Sequence, residues 1–99
     1  VIHAANREGI AAAVGQQFDL AHRVLVAGLL PIVEPEVSIQ APDKQEAETI
    51  LASELLAHLG RLGEQKVALK LTLPSVAGFY ADLIAHPNVA RVVACCAAK

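Results

Sequence analysis

Ninety-nine residues make at most one small domain, with room for a modest core but not for a large enzyme. The formal charge of -2 and the lack of any basic run argue against nucleic acid as a partner. At 55% hydrophobic residues and a mean hydropathy of +0.46, the chain is unusually apolar for its size, which suggests surfaces meant to be covered by more protein.

The longest uncharged apolar stretch, Val24 to Val33, is about half of the roughly 20 residues that span a bilayer, and Gly28 and Pro31 interrupt it. No membrane segment is expected, and no signal peptide is visible. The chain contains no methionine and reads as an internal piece of something longer. Cys95 and Cys96 are adjacent, where a disulfide would be strained. Neither a CxxC nor a paired Cys/His spacing occurs, so no metal or other cofactor is expected. His3, His22, His58 and His86 read as solvated or helix-surface side chains in a reduced, cytoplasmic setting.

A first helix is expected from Asn6 to Ala27. Ile10, Val14, Phe18, Ala21 and Leu25 recur at spacings of three or four and form its apolar stripe. Asn6 is its N-cap, and Gly28 ends it in a left-handed conformation. A strand follows from Leu30 to Glu36, with Pro35 unable to donate on one side near its end. Ala41-Pro42-Asp43 opens a second helix, with Ile50, Leu51, Leu55, Leu56 and Leu59 as its stripe and Gly60 and Gly63 closing it. A second strand is expected over Lys66 to Thr72, then a Leu73-Pro74-Ser75 connection and a third helix around Ala77 to Ala85. His86-Pro87-Asn88 ends that helix, and Ala90 to Cys95 reads as a third strand. The alternation with tight connections implies parallel strands and right-handed crossovers.

Strand side chains alternate between faces, so Glu34 and Glu36 share one face with Leu30 and Ile32. Lys70 shares a face with Ala68 and Thr72, opposite Val67, Leu69 and Leu71. Charges cost several kcal/mol to bury unless paired, so two carboxylates and an amine on such strands call for a reason. On spacing alone they read equally as an ion pair fixing strand register or as equipment for Schiff-base chemistry on a carbonyl. Lys66 opens its strand and reads as solvated. A doubly wound sheet would carry a glycine-rich phosphate turn, and neither GxGxxG nor a P-loop occurs. A barrel places functional groups at the C-terminal ends of its strands, which fits Glu34, Glu36 and Lys70. A complete (β/α)8 barrel takes eight strands and about 250 residues. The expected architecture is thus a partial TIM barrel of about three parallel strands and three helices, residues 1–99 forming one piece of a single barrel domain. Two open sheet edges and one bare face would remain, with self-association through those edges as a consequence.

Leu30-Pro31-Ile32-Val33-Glu34-Pro35-Glu36-Val37, Ser53-Glu54-Leu55 and Leu69-Lys70-Leu71-Thr72-Leu73-Pro74 resemble class I fructose-bisphosphate aldolase, most closely its bacterial single-domain form. The resemblance runs on through His86-Pro87-Asn88-Val89-Ala90-Arg91-Val92-Val93 and back to Asn6-Arg7-Glu8-Gly9-Ile10, covering nearly the whole chain. Glu-Pro-Glu alone is weak; joined to the lysine strand at the family's separation it is specific. The resemblance implies a metal-free barrel enzyme cleaving fructose 1,6-bisphosphate into dihydroxyacetone phosphate and glyceraldehyde 3-phosphate, a glycolytic step. It implies Lys70 as the iminium-forming lysine, Glu34 as the proton shuttle, and Glu36 as a neighbouring acid that supports and competes for that role. A free lysine, with a pKa of about 10.4, is mostly protonated at neutral pH, so its reactivity depends on burial and on neighbouring charges.

The sequence also departs from the family. After Arg91-Val92-Val93-Ala94 the family continues into a Ser-Gly-Gly turn that holds a substrate phosphate, whereas this chain has Cys95-Cys96-Ala97-Ala98-Lys99. Glycines permit the backbone approach that a phosphate nest requires, and alanines largely do not. A truncated or shifted reading frame is the expected cause, and the coding DNA read in all frames tests it. The family's N-terminal strands, with an aspartate and phosphate-side lysines, and its last strand, with a phosphate-contacting arginine, have no counterpart here. The isolated chain is therefore expected to be inactive or nearly so. Two other readings stay open: a non-catalytic partial barrel that survives by association, and another Schiff-base enzyme such as transaldolase, against which Glu-Pro-Glu beside the lysine strand argues.

Overall fold

The computed structural model describes residues 2, 5–38, 42–72 and 78–95. Six elements alternate along them: α1 (Arg7–Val26), β1 (Ile32–Val33), α2 (Lys44–Leu59), β2 (Val67–Thr72), α3 (Ala81–Ile84) and β3 (Val89–Cys95). The strands lie side by side in chain order, all parallel, in one sheet. This is the α/β alternation of three helices and three strands that the periodicity predicts. The Leu73-Pro74-Ser75 connection, the Ala77 start of the third helix, His3 and the stretch 96–99 lie outside the described residues.

The caps of α1 are those expected. Asn6 is extended and its side chain accepts from the Gly9 N–H at 3.1 Å, satisfying one orphan donor of the first turn. At the other end Gly28, at φ 81°, donates to Leu25 O, and Leu29 donates to Val24 O, the paired bonds of a Schellman stop. Ile10, Val14, Phe18 and Ala21 are buried, and Leu25 packs partly against the same core. In α2, Ile50, Leu51, Leu55 and Leu59 are buried and Leu56 partly so. Phe18 stacks on His58 with centroids 4.9 Å apart, so this histidine is a packing group between α1 and α2 and departs from the solvated reading. Fully burying each large side chain contributes about 1.5–3 kcal/mol.

Among the described residues the helices cover one face of the sheet, and on the other only the small Ala68 and Thr72 beside Lys70 are buried. Val33, Val37, Val67, Leu69 and Leu71 are buried against the helices, whereas Ile32, Glu34, Glu36, Lys70, Arg91 and Val93 are exposed on the other side. β1 is much shorter than the expected Leu30–Glu36, because Pro31 and Pro35 flank it and neither can donate to a ladder. It is an edge strand of the three-stranded sheet, as expected, with a single bridge just beyond it. Ile2 donates to Glu36 O at 2.6 Å and accepts from the Ser38 N–H at 2.8 Å, a parallel bridge that continues the sheet beside Val37. In β3 the register shifts: Val67 faces Val89 but Ala68 faces Arg91, leaving Ala90 as an extra residue.

The loops at the sheet's opposite end are tied by Asn88, a buried side chain that donates to Gly63 O at 2.8 Å and to Gln65 O at 2.7 Å. Its own N–H donates to His86 Nδ1 at 3.1 Å, so His86 caps this turn. The third helix is a single turn, Ala81–Ile84, preceded by Gly78 at φ 75°, a left-handed residue that keeps helix from starting earlier.

A polar group sits inside the helix layer. Glu48 is fully buried, and its Oε2 accepts from Lys44 Nζ at 2.6 Å. Asp43 directs Oδ2 to the Ala5 N–H at 2.8 Å, outside the usual N-cap geometry, and its buried Oδ1 has no partner among the described residues. The Tyr80 hydroxyl is likewise buried and unpartnered among them. Burial, and secondarily the Glu48 carboxylate, push the Tyr80 phenol above its ordinary value. The neutral phenol is favoured in the folded chain, so its contribution is complete below the unfolded tyrosine value near 10 and is lost as pH rises above it. Tyr80→Phe is expected to be neutral or stabilising by up to about 1 kcal/mol at neutral pH and to blunt that alkaline loss. Urea unfolding of both chains between about pH 8 and pH 11 checks this; parallel curves would contradict it.

Candidate active site

The site lies on the bare face, where β1 runs out beside β2. Register pairs Ile32 with Ala68 and Val33 with Leu69, so one step further sets Glu34 level with Lys70. Alternation carries both side chains to the uncovered side, while Val33, Pro35 and Val37 turn to the core and fix that orientation. Lys70 Nζ and Glu34 Oε2 are 3.9 Å apart. Of the two carboxylates in Glu-Pro-Glu it is Glu34 that reaches the amine; Glu36 lies two residues on, exposed on the same face. Beyond Pro35 a side chain takes over from the ladder, the buried Thr72 Oγ1 accepting from the Val37 N–H at 3.2 Å.

The side chains of Lys70 and Glu34 are 44% and 54% exposed. An ion pair this open contributes at most about 1 kcal/mol, so it is a poor device for fixing register. Lys66 is exposed at the mouth of β2, as expected. Around the pair the same face presents Leu30, Ile32 and Val93, apolar and exposed, with Arg91 level with Ala68. An amine, a carboxylate at near contact and apolar surroundings can form and hydrolyse an imine, provided the face is covered so that water is limited.

Two residues escaped the sequence reading. The Gln17 carboxamide accepts from the Glu34 N–H at 3.0 Å and donates to Glu34 O at 3.3 Å. Glu48 is the other. Each is a polar residue inside a helical stripe: Gln17 stands between Val14 and Ala21, and Glu48 three before Leu51. That interruption was the available signal. Of Cys95–Lys99, where the sequence departs from the turn that the resemblance implies, 96–99 lie outside the described residues. Among the described residues no three His, Cys, Asp or Glu side chains gather as a metal site would need, and no helix is long and apolar enough to cross a membrane.

No protein-family model matches the chain. It is 50% identical over 94 residues to the class 1 fructose-bisphosphate aldolase of Porphyromonas gingivalis, covering 95% of this chain and 32% of that protein. It is 50% identical over 91 residues to the enzyme of the same name from Synechocystis, covering 91% and 30%. With that of Clostridium acetobutylicum it shares 47% over 94 residues, 94% and 32%. The chain thus spans about a third of the length of the curated relatives it matches. Over nearly its whole length, with the lysine and Glu-Pro-Glu strands side by side, the chain is therefore similar to one third of class 1 fructose-bisphosphate aldolases.

Proposed function

We propose that this segment is part of a (β/α)8 barrel domain and carries the Schiff-base half of an aldolase site. The observation behind the reading is the Lys70 amine 3.9 Å from the Glu34 carboxylate on one shared, uncovered face. The Lys70 amine, once neutral, adds to the substrate ketone to give a carbinolamine. Glu34 protonates the departing hydroxyl, water leaves, and an iminium forms. When the adjacent carbon–carbon bond breaks, its electron pair flows to the iminium nitrogen as an enamine. The proton from the neighbouring hydroxyl passes to a carboxylate base, and the aldehyde leaves. Protonation of the enamine carbon and hydrolysis then free the second product and Lys70. Glu36 supports Glu34 from the same face. The substrate is a sugar bisphosphate, and a glycolytic, cytoplasmic setting follows from the same kinship.

Much of the transition-state stabilisation lies outside this face, so turnover by the isolated chain is expected to be negligible. The half-reaction is the test. Dihydroxyacetone phosphate and borohydride should leave a stable adduct on Lys70 in preference to the exposed Lys66 and to Lys44, read by peptide mass spectrometry. Equal labelling of Lys66 and Lys70, or none on Lys70, would defeat the reading.

A second reading, association of copies through this surface, draws on the exposed Leu30, Ile32 and Val93. A defined dimer by light scattering would support it, and a monomer would oppose it.

A further inference from the structure

We propose that Gln17 is a positioning residue that holds the Glu34 carboxylate beside the Lys70 amine; the inference rests on the reading of Glu34 as the proton carrier.

Glu34 stands just beyond a strand of two residues, between Val33, which pairs with Leu69, and Pro35, which has no N–H. Peptide groups alternate in direction along a strand, so those of Glu34 point away from β2, toward the sheet's outer edge. There the Gln17 side chain meets them both, its Oε1 accepting from the Glu34 N–H at 3.0 Å and its Nε2 donating to Glu34 O at 3.3 Å. A primary carboxamide carries one acceptor and donors in the spacing of a peptide group, so it stands in for one residue of a neighbouring strand. Further on, the Ile2 backbone takes up the next edge groups, donating to Glu36 O and accepting from the Ser38 N–H.

The clamp is anchored. Gln17 is half-buried on α1 next to Phe18, and the rotation of that helix is fixed by Val14, Phe18 and Ala21 in the core and by the Phe18–His58 stack. The Glu34 backbone is thereby tied to the core on the side that β2 does not reach. Release of that tie frees the Glu34 peptide between two prolines and lets its carboxylate drift from a contact already at 3.9 Å.

Gln17→Met keeps the length and removes the amide, and Gln17→Glu keeps an acceptor for the Glu34 N–H. In this chain, amide exchange at Glu34 is expected to be about tenfold faster in Gln17→Met, the scale of one hydrogen bond, with Leu69 unchanged and Gln17→Glu restoring part of the protection. Trapping on Lys70 is expected to slow by up to about 10²-fold in Gln17→Met, but not further in a Glu34→Gln background. Equal slowing in both backgrounds would mean a merely structural role and overturn the proposal, as would unchanged exchange at Glu34. Faster exchange at Glu34 in a chain whose wild-type Lys70 never reacts would instead retain the clamp and overturn the aldolase reading. Should Gln17→Met fail to fold, Gln17→Glu carries the same comparison, with exchange at Glu34 faster and trapping on Lys70 slower than in wild type; wild-type values for both would refute the clamp.

Discussion

Arginine at position 70 is expected to reduce borohydride-trapped adduct to background while leaving the fold intact. Arginine keeps a cation beside Glu34 but never offers a neutral amine to a carbonyl. The pair it disturbs is open to solvent, so the stability change should stay within about 1 kcal/mol. Glu34→Gln is expected to slow trapping about 10²–10⁴-fold, the range of general acid–base assistance. Glu36→Gln should slow it less than about tenfold, because that carboxylate lies further along the face. Time courses of adduct formation on the three variants separate the roles. A larger loss in Glu36→Gln than in Glu34→Gln would reverse the assignment, and an adduct on the Lys70→Arg chain would remove the lysine from the chemistry.

The largest stability effect is expected at Lys44. Glu48 has a side chain only 1% exposed, and Lys44 meets it at 2.6 Å. The pair runs from lysine to glutamate along the helix, the weaker order for an exposed pair, and it places a cation in the first turn against the helix dipole. Helix stabilisation therefore does not account for it; burial does. Lys44→Met should cost about 3–5 kcal/mol by leaving a carboxylate buried with less compensation, whereas Lys44→Met with Glu48→Leu should recover most of that loss. A small domain has about 5–15 kcal/mol in total, so the single variant should be visibly fragile. Urea midpoints for wild type, both singles and the double decide it. A Lys44→Met chain within about 1 kcal/mol of wild type would show Glu48 held by its other contacts.

What could be read from residue order was whatever depends on local chemistry. Asn6 and Gly28 announced both ends of α1 because a side-chain cap and a left-handed stop are short-range devices. The parallel order followed from helices placed between strands, and the meeting of Glu34 and Lys70 from strand alternation. The shortness of β1 was half visible: Pro35 was read as a limit, but Pro31 was not, and together they leave a two-residue ladder. The Gln17 clamp and the Ile2 bridge were not legible, since each joins groups 17 or more residues apart, whereas Lys44 and Glu48 stand one helical turn apart and only the burial of that pair was hidden. His58 and His86 were read by residue type alone, and packing and a turn gave them other work.

The extra residue at Ala90 splits β3 into two phases. Val89 and Val92 both turn toward the helices although three positions separate them, and Arg91 and Val93 both stand on the side of Lys70. The strand behaves as a ruler whose zero is set at residue 90. A change of one residue just after that mark exchanges the two faces, sending Val92 toward the amine and its carboxylate and Val93 into the core. Here side chains can be altered one at a time, but the count of residues after Ala90 can change only in twos.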